Sequence, residues 1–162
     1  MQVVRGQARI DAVDPFLSRL SEIGETHGSI VQAVDARYVA GDRHLTRAVE
    51  LAQRAIEADA TIADDPAMEL LLYVAGTRQI TEALTLGVGE GEQPIVVVVV
   101  GGDEEAAAST VANLIDVGEP SDSPDVERIA EWFDITTAER GATDASLEAL
   151  VVERVCLLTL ER

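Results

Sequence analysis

Six consecutive aliphatic residues, Ile95 to Val100, constrain this chain more than any other feature. Successive side chains of a strand point to opposite faces, so a strand that is apolar at every position has to be covered on both. The run therefore predicts a central strand rather than an edge. It is also far too short to cross a bilayer. Gly101-Gly102 ends it, and Asp103 is placed to cap a helix reaching about Ile115.

The other elements follow from alternation and from turn chemistry. Val3 to Ile10 alternates as a strand, and Ser29 to Tyr38 reads as a second one. Asp14-Pro15 marks the start of a helix running to about Glu25. Asp42 is placed to cap a long helix from Arg43 to Asp59, with Leu45, Ala48, Val49, Ala52 and Ile56 as its buried stripe. Further helices are predicted after Asp65-Pro66, after Pro124-Asp125 as far as Phe133, and from a cap at Asp144 to the C-terminus, with a polar loop from Gly118 to Asp125. The expected fold class is α/β (α+β): a small mixed sheet of three to five strands covered by six or seven helices. Residues 1–162 are expected to form a single domain.

Charge narrows the setting. The chain carries 30 acidic residues against 12 basic, a formal net charge of −18, and every basic residue is Arg. Such a surface repels itself at low salt. At about 1 M salt the Debye length falls to roughly 3 Å and the repulsion is screened. An acidic, lysine-free chain resembles a cytosolic protein of a salt-accumulating organism. Cys156 is alone, so it has no disulfide partner within the chain. Arg5, Arg9 and Asp11 interrupt the N-terminus where a signal peptide would be apolar. A soluble, cytoplasmic protein with no membrane partner is expected.

The segment from Met68 to Gly87, MELLLYVAGTRQITEALTLG, reads as two short helices broken at Gly76-Thr77. Gly76 suits the left-handed residue that ends the first, and Thr77 the N-cap of the second. Arg78, Gln79 and Ile80 would then be the first helical residues, with free amides and a dipole that favour an anion. Glu69 lies in an otherwise apolar helix and needs a partner if buried; Arg78 is the nearest candidate.

The same residues carry a family resemblance. Glu69-Leu-Leu-Leu-Tyr73, then Gly76-Thr77-Arg78-Gln79-Ile80, then Ala83-Leu84 and Gly87, resemble the smallest, kinase-binding subunit of the archaeal KEOPS tRNA-modification complex. Val39-Ala-Gly-Asp-Arg-His44-Leu45 leading to Ala48 is similar to that family's approach to its long helix. Gly87-Val88 and the strand Ile95 to Val100 also fit, and Ser146 to Arg162 fits more loosely. The resemblance implies a non-catalytic regulatory or adaptor subunit. Its partners would be the complex's kinase-like ATPase and the single-stranded acceptor end of tRNA, in support of threonylcarbamoyl-adenosine formation. It implies RNA contacts at His44, Glu69, Arg78, Gln79 and Ile80. It implies no cofactor and no small-molecule substrate.

The final helix suggests where the kinase would dock. Leu147, Leu150, Val151, Val155 and Leu158 form one apolar face, and Val152, Cys156 and Leu160 form a second at i, i+4 spacing. One face can bury inside the protein, which leaves the second for a partner.

Other chemistry is harder to place. No nucleophile set or metal-ligand spacing is apparent around His27, His44 and Cys156. Gly101-Gly102-Asp103 lacks the third glycine of a dinucleotide turn, and Asp103 to Glu105 would repel phosphate there. Arg43, Arg47 and Arg54 share a face of the long helix with Glu50 and Glu57, which reads as a solvated salt-bridged stripe with Glu50 and Arg54 as one pair. Residues 1–89 hold 13 acids and 8 Arg, while residues 90–162 hold 17 acids and 4 Arg, so nucleic acid would meet the first half more readily. The alternatives to the adaptor are a small-molecule or Mg²⁺-dependent enzyme built on clustered carboxylates, and a self-associating structural domain.

Overall fold

The Ile95–Val100 run sits in β3 (Gly91–Val100), which is flanked on both sides. The computed structural model describes residues 1–142 and 145–160. The chain forms two compact units, Met1–Ala36 with Gly87–Ser123, and Arg37–Leu86 with Pro124–Arg162.

The first unit is a four-stranded sheet with two helices. Beside β3 are β1 (Gln2–Ile10), β2 (Ile30–Asp35) and the two-residue β4 (Asp116–Val117), in the order β2-β3-β1-β4. Gln2 faces Val99 and Ile10 faces Gly91 across β1 and β3; Ile30 faces Val100 and Asp35 faces Ile95 across β2 and β3. On one face Val4, Ala8, Val31, Ala33, Ile95, Val97 and Val99 pack with Leu20 and Ile23 of α1 (Val13–His27) and with Ala107 and Val111 of α5 (Glu104–Ala112). Val96, Val98 and Val100, on the opposite face, are buried as well. Burial on both faces is what the uniform apolar run requires.

The α+β class holds, with differences in detail. Every strand pair is antiparallel, where a mixed sheet was expected. β3 begins four residues before the apolar run and includes Pro94, whose missing N–H the ladder accommodates opposite Gln7. β4 was not foreseen, because two residues have no periodicity to read. It takes Asp116 and Val117, which had been left between a longer helix and the loop.

The second unit is helical. It contains α2 (Asp42–Glu57), α3 (Pro66–Ala75), α4 (Ile80–Ala83), α6 (Val126–Trp132), α7 (Thr137–Ala142) and α8 (Leu147–Leu157). Among the described residues the chain has eight α-helices, one more than the upper expectation, because the six-residue α7 is too short to show a period. Asp65, Asp103 and Asp125 cap α3, α5 and α6 with their side chains. The long helix is capped differently: its N-cap is Gly41, and the Arg43 N–H donates to Glu148 Oε2 of α8 (3.2 Å). The expected cap at Asp144 lies outside the described residues. α8 starts from Ser146, whose hydroxyl accepts from the Ala149 N–H. No helix is long and apolar enough to cross a membrane among the described residues.

Candidate functional site

α3 is apolar on every side, and each residue from Glu69 to Ala75 is buried. Glu69 is therefore a carboxylate in the interior, and backbone amides satisfy it. The N–H groups of Ile62 (2.9 Å) and Ala63 (2.7 Å) donate to its Oε1, and Ile62 also reaches Oε2 (3.1 Å). Glu69 thus pins the loop before α3. The expected pair with Arg78 does not form, because the carboxylate points toward that loop and its lone pairs are taken there.

Gly76 ends α3 as the sequence predicts, with φ 66°. The Thr77 N–H reaches back to the Leu72 carbonyl (3.2 Å), closing a Schellman motif. A Cβ at Gly76 would also lie 3.2 Å from Phe133 Cε1, so glycine serves both the turn and a close approach.

The next helix begins later than expected. Thr77 is not its N-cap. Its hydroxyl accepts from the Gln79 N–H (3.1 Å) and donates to Glu82 Oε2 (2.8 Å), which makes a side-chain turn ahead of α4. Gln79 is the N-cap, Ile80 is the first helical residue, and α4 is one turn long. Arg78 and Gln79 therefore precede the helix, and four residues add little aligned dipole. The helix-start anion site predicted from the sequence is absent.

A cleft of about 650 Å³ remains, built from side chains. Gly76, Arg78 and Gln79 line it together with Trp132, Asp134 and Arg154. Trp132 is held by its indole N–H, which donates to the Ala75 carbonyl (2.9 Å). Arg154 has its charge matched by Glu139, at 2.7 and 3.0 Å. Arg78 makes no hydrogen bond or ion pair among the described residues, and the carboxylates of Glu82 and Asp134 belong to the same lining. Ile80 does not line the cleft. It stands beside it, 43% exposed, with Leu84 one turn on at 52%.

His44 is fully buried, so it does not reach the cleft surface. Its Nδ1 accepts from the Ala40 N–H (3.1 Å) and its Nε2 donates to the Val74 carbonyl (2.8 Å), which ties α2 to α3. Burial pushes its pKa down to about 4. The ring meets Phe133 edge-on at 5.6 Å, so His44 supports the cleft wall from behind. The expected RNA contacts thus divide: Arg78 and Gln79 line the cleft, Ile80 flanks it, and His44 and Glu69 are interior.

On α8 and the turn after it, Leu150, Val151, Val155 and Leu158 are buried, Val152 and Cys156 are half-buried, and Leu160 is 77% exposed. The second apolar face read from the sequence is therefore partly open. On α2, Glu50 pairs with Arg47 (3.1 Å) rather than Arg54. A second groove, of about 610 Å³, shares Trp132 with the cleft. There Arg128 lies over the Tyr38 ring at 5.6 Å, and its backbone N–H and then its guanidinium hold the Asp125 carboxyl below the usual value. Among the described residues no three His, Cys, Asp or Glu converge as metal ligands.

Sequence reasoning missed Trp132 and Arg154. Both had a signal: one is the chain's only Trp, and the other is an Arg set in an apolar helix.

Residues 19–159 match the model of the family described as "Kinase binding protein CGI-121". No curated protein matches the chain.

Proposed function

The chain belongs to the kinase-binding family described as CGI-121, and we propose that it is a non-catalytic adaptor that binds a kinase-like ATPase and helps bring RNA to it. The resemblance to the smallest KEOPS subunit gives the finer form of this reading: a cytoplasmic archaeal protein acting in threonylcarbamoyl-adenosine formation on tRNA. The acidic, lysine-free composition adds a salt-rich cell. The two units are taken as one domain over residues 1–162, which a family match running from 19 to 159 supports.

The observation that carries the RNA half is the Arg78 guanidinium, without a partner among the described residues, in a cleft that also holds Trp132. A guanidinium presents a fork of donors that suits phosphate. An indole face suits an unpaired base. One cation and one half-exposed aromatic fit a short single-stranded end better than a duplex, whose charge density demands many contacts. Gln79 adds an amide that can donate and accept. For the kinase, the half-open stripe of Val152, Cys156 and Leu160 on α8 and the turn after it is the proposed contact.

The test is charge reversal. Arg78→Glu is expected to weaken binding of single-stranded tRNA ends by about tenfold or more, the worth of one charge-assisted contact, while the kinase still co-purifies. Equal affinity of both proteins at matched high salt would contradict the assignment.

A further inference from the structure

We infer that Arg154 is a positioning residue for the cleft: it ties α8 to the Phe133–Asp134 corner and sets the wall beside Trp132, without itself holding phosphate. The inference rests on reading the cleft as a single-strand site.

The corner needs an external tie. α6 ends at Trp132 with Phe133 as its C-cap, and the Ile135 N–H bonds back to the Ala130 carbonyl (2.8 Å), which is a Schellman closure. The left-handed position of that closure usually belongs to glycine, but here it is Asp134, with φ 54°. The carbonyls of Phe133 and Asp134 lie past the last turn and have no successor residues in α6 to bond them. Arg154 reaches them from another helix. Its Nε donates to the Phe133 carbonyl (3.2 Å), and its Nη2 donates toward the Asp134 carbonyl (3.4 Å). The same Nη2 donates to both oxygens of Glu139 on α7. One side chain therefore joins the end of α6, the helix α7 and the helix α8.

Trp132 and Phe133 are the residues so fixed, and Phe133 also abuts Gly76 and His44. The opposite fate of the two guanidiniums in the cleft separates their roles. Glu139 matches the charge of Arg154, so the pair brings no net charge to a ligand. Arg78 makes no such pair among the described residues. Loss of Arg154 would loosen the wall and leave the phosphate contact in place, whereas loss of Arg78 would remove the contact and leave the wall.

Salt dependence distinguishes these outcomes, because each phosphate contact of a single strand contributes about 0.7 to the slope of log affinity against log salt. Trp132 is the only tryptophan, so its emission reports on the wall alone. Short single-stranded RNA is titrated into wild type, Arg154→Met, Glu139→Gln and Arg78→Met at several salt concentrations. Arg154→Met is expected to shift the emission of the free protein and weaken binding by about tenfold, with the slope unchanged. Glu139→Gln, which keeps the shape of the pair if Arg154→Met fails to fold, is expected to shift the emission in the same direction by less. Arg78→Met is expected to leave the emission unchanged and flatten the slope by about 0.7. A flattened slope in Arg154→Met would make it a phosphate ligand and overturn the inference. So would unchanged emission in both Arg154→Met and Glu139→Gln. If wild type binds no RNA, the functional reading fails, while the emission of the free proteins still decides the role of Arg154.

Discussion

His44 shows how much one buried ring can make of its surroundings. Both nitrogens have backbone partners, and the geometry requires a neutral ring that accepts from Ala40 and donates to Val74. Burial lowers its pKa from 6.5 to about 4. Between those values the unfolded chain holds a proton that the folded chain does not, so acidification favours unfolding. The contribution is fully present above about pH 6.5 and falls by about 3 kcal/mol as the pH drops toward 4, at 1.36 kcal/mol per unit. Urea unfolding of wild type and His44→Leu across that range checks this. The stability difference should hold steady above pH 7 and narrow by about 3 kcal/mol at pH 4; a difference independent of pH would contradict the assignment. The sequence marks His44 as unusual but cannot show which way it faces. Its spacing to Ala48 places it beside the buried stripe, and the turn that brings the Ala40 N–H onto its ring has no sequence signature. Glu69 was misread for a related reason: its partners are two backbone amides, which every residue possesses and no sequence reveals.

The elements that were legible are those whose ends carry their own chemistry. Gly76 closes α3, Asp103 caps α5, α3 and α6 start where Asp65-Pro66 and Pro124-Asp125 mark them, and the uniform run of β3 lies at the sheet's interior, all as read. The start of α4 was misplaced because a threonine hydroxyl can serve either an N-cap or a side-chain turn, and Glu82 decides between them by accepting from it. On α8 the two apolar faces were legible, and burial separates them into an inner face and a half-open one. Leu160 tests that separation well. It is mostly exposed, so a charge there should change stability by no more than about 0.5 kcal/mol. Leu160→Glu is expected to keep its melting behaviour and lose the kinase on co-purification, as is Val152→Glu with some loss of stability. Normal recovery of the kinase by both variants would remove α8 as the contact.

At the scale of the whole molecule, charge sets what kind of RNA binding is feasible. With 30 acids against 12 arginines, broad electrostatic attraction of nucleic acid is not available to this chain. The fold redistributes what the sequence halves suggested. Only Arg5, Arg9 and Arg19 fall in the sheet unit, and the remaining arginines belong to the helical unit that contains the cleft. There, Arg154 is paired with Glu139, while Arg78 makes no ion pair among the described residues. Binding through a single phosphate contact and a stacked base loses little as salt rises, which suits a protein whose own repulsion calls for salt. The affinity of the wild-type protein for a single-stranded tRNA end, measured against salt concentration, is the most direct check. The account predicts a slope of about −0.7, one phosphate for one free guanidinium. A slope several times steeper would mean that a broad basic surface, and not this cleft, holds the RNA.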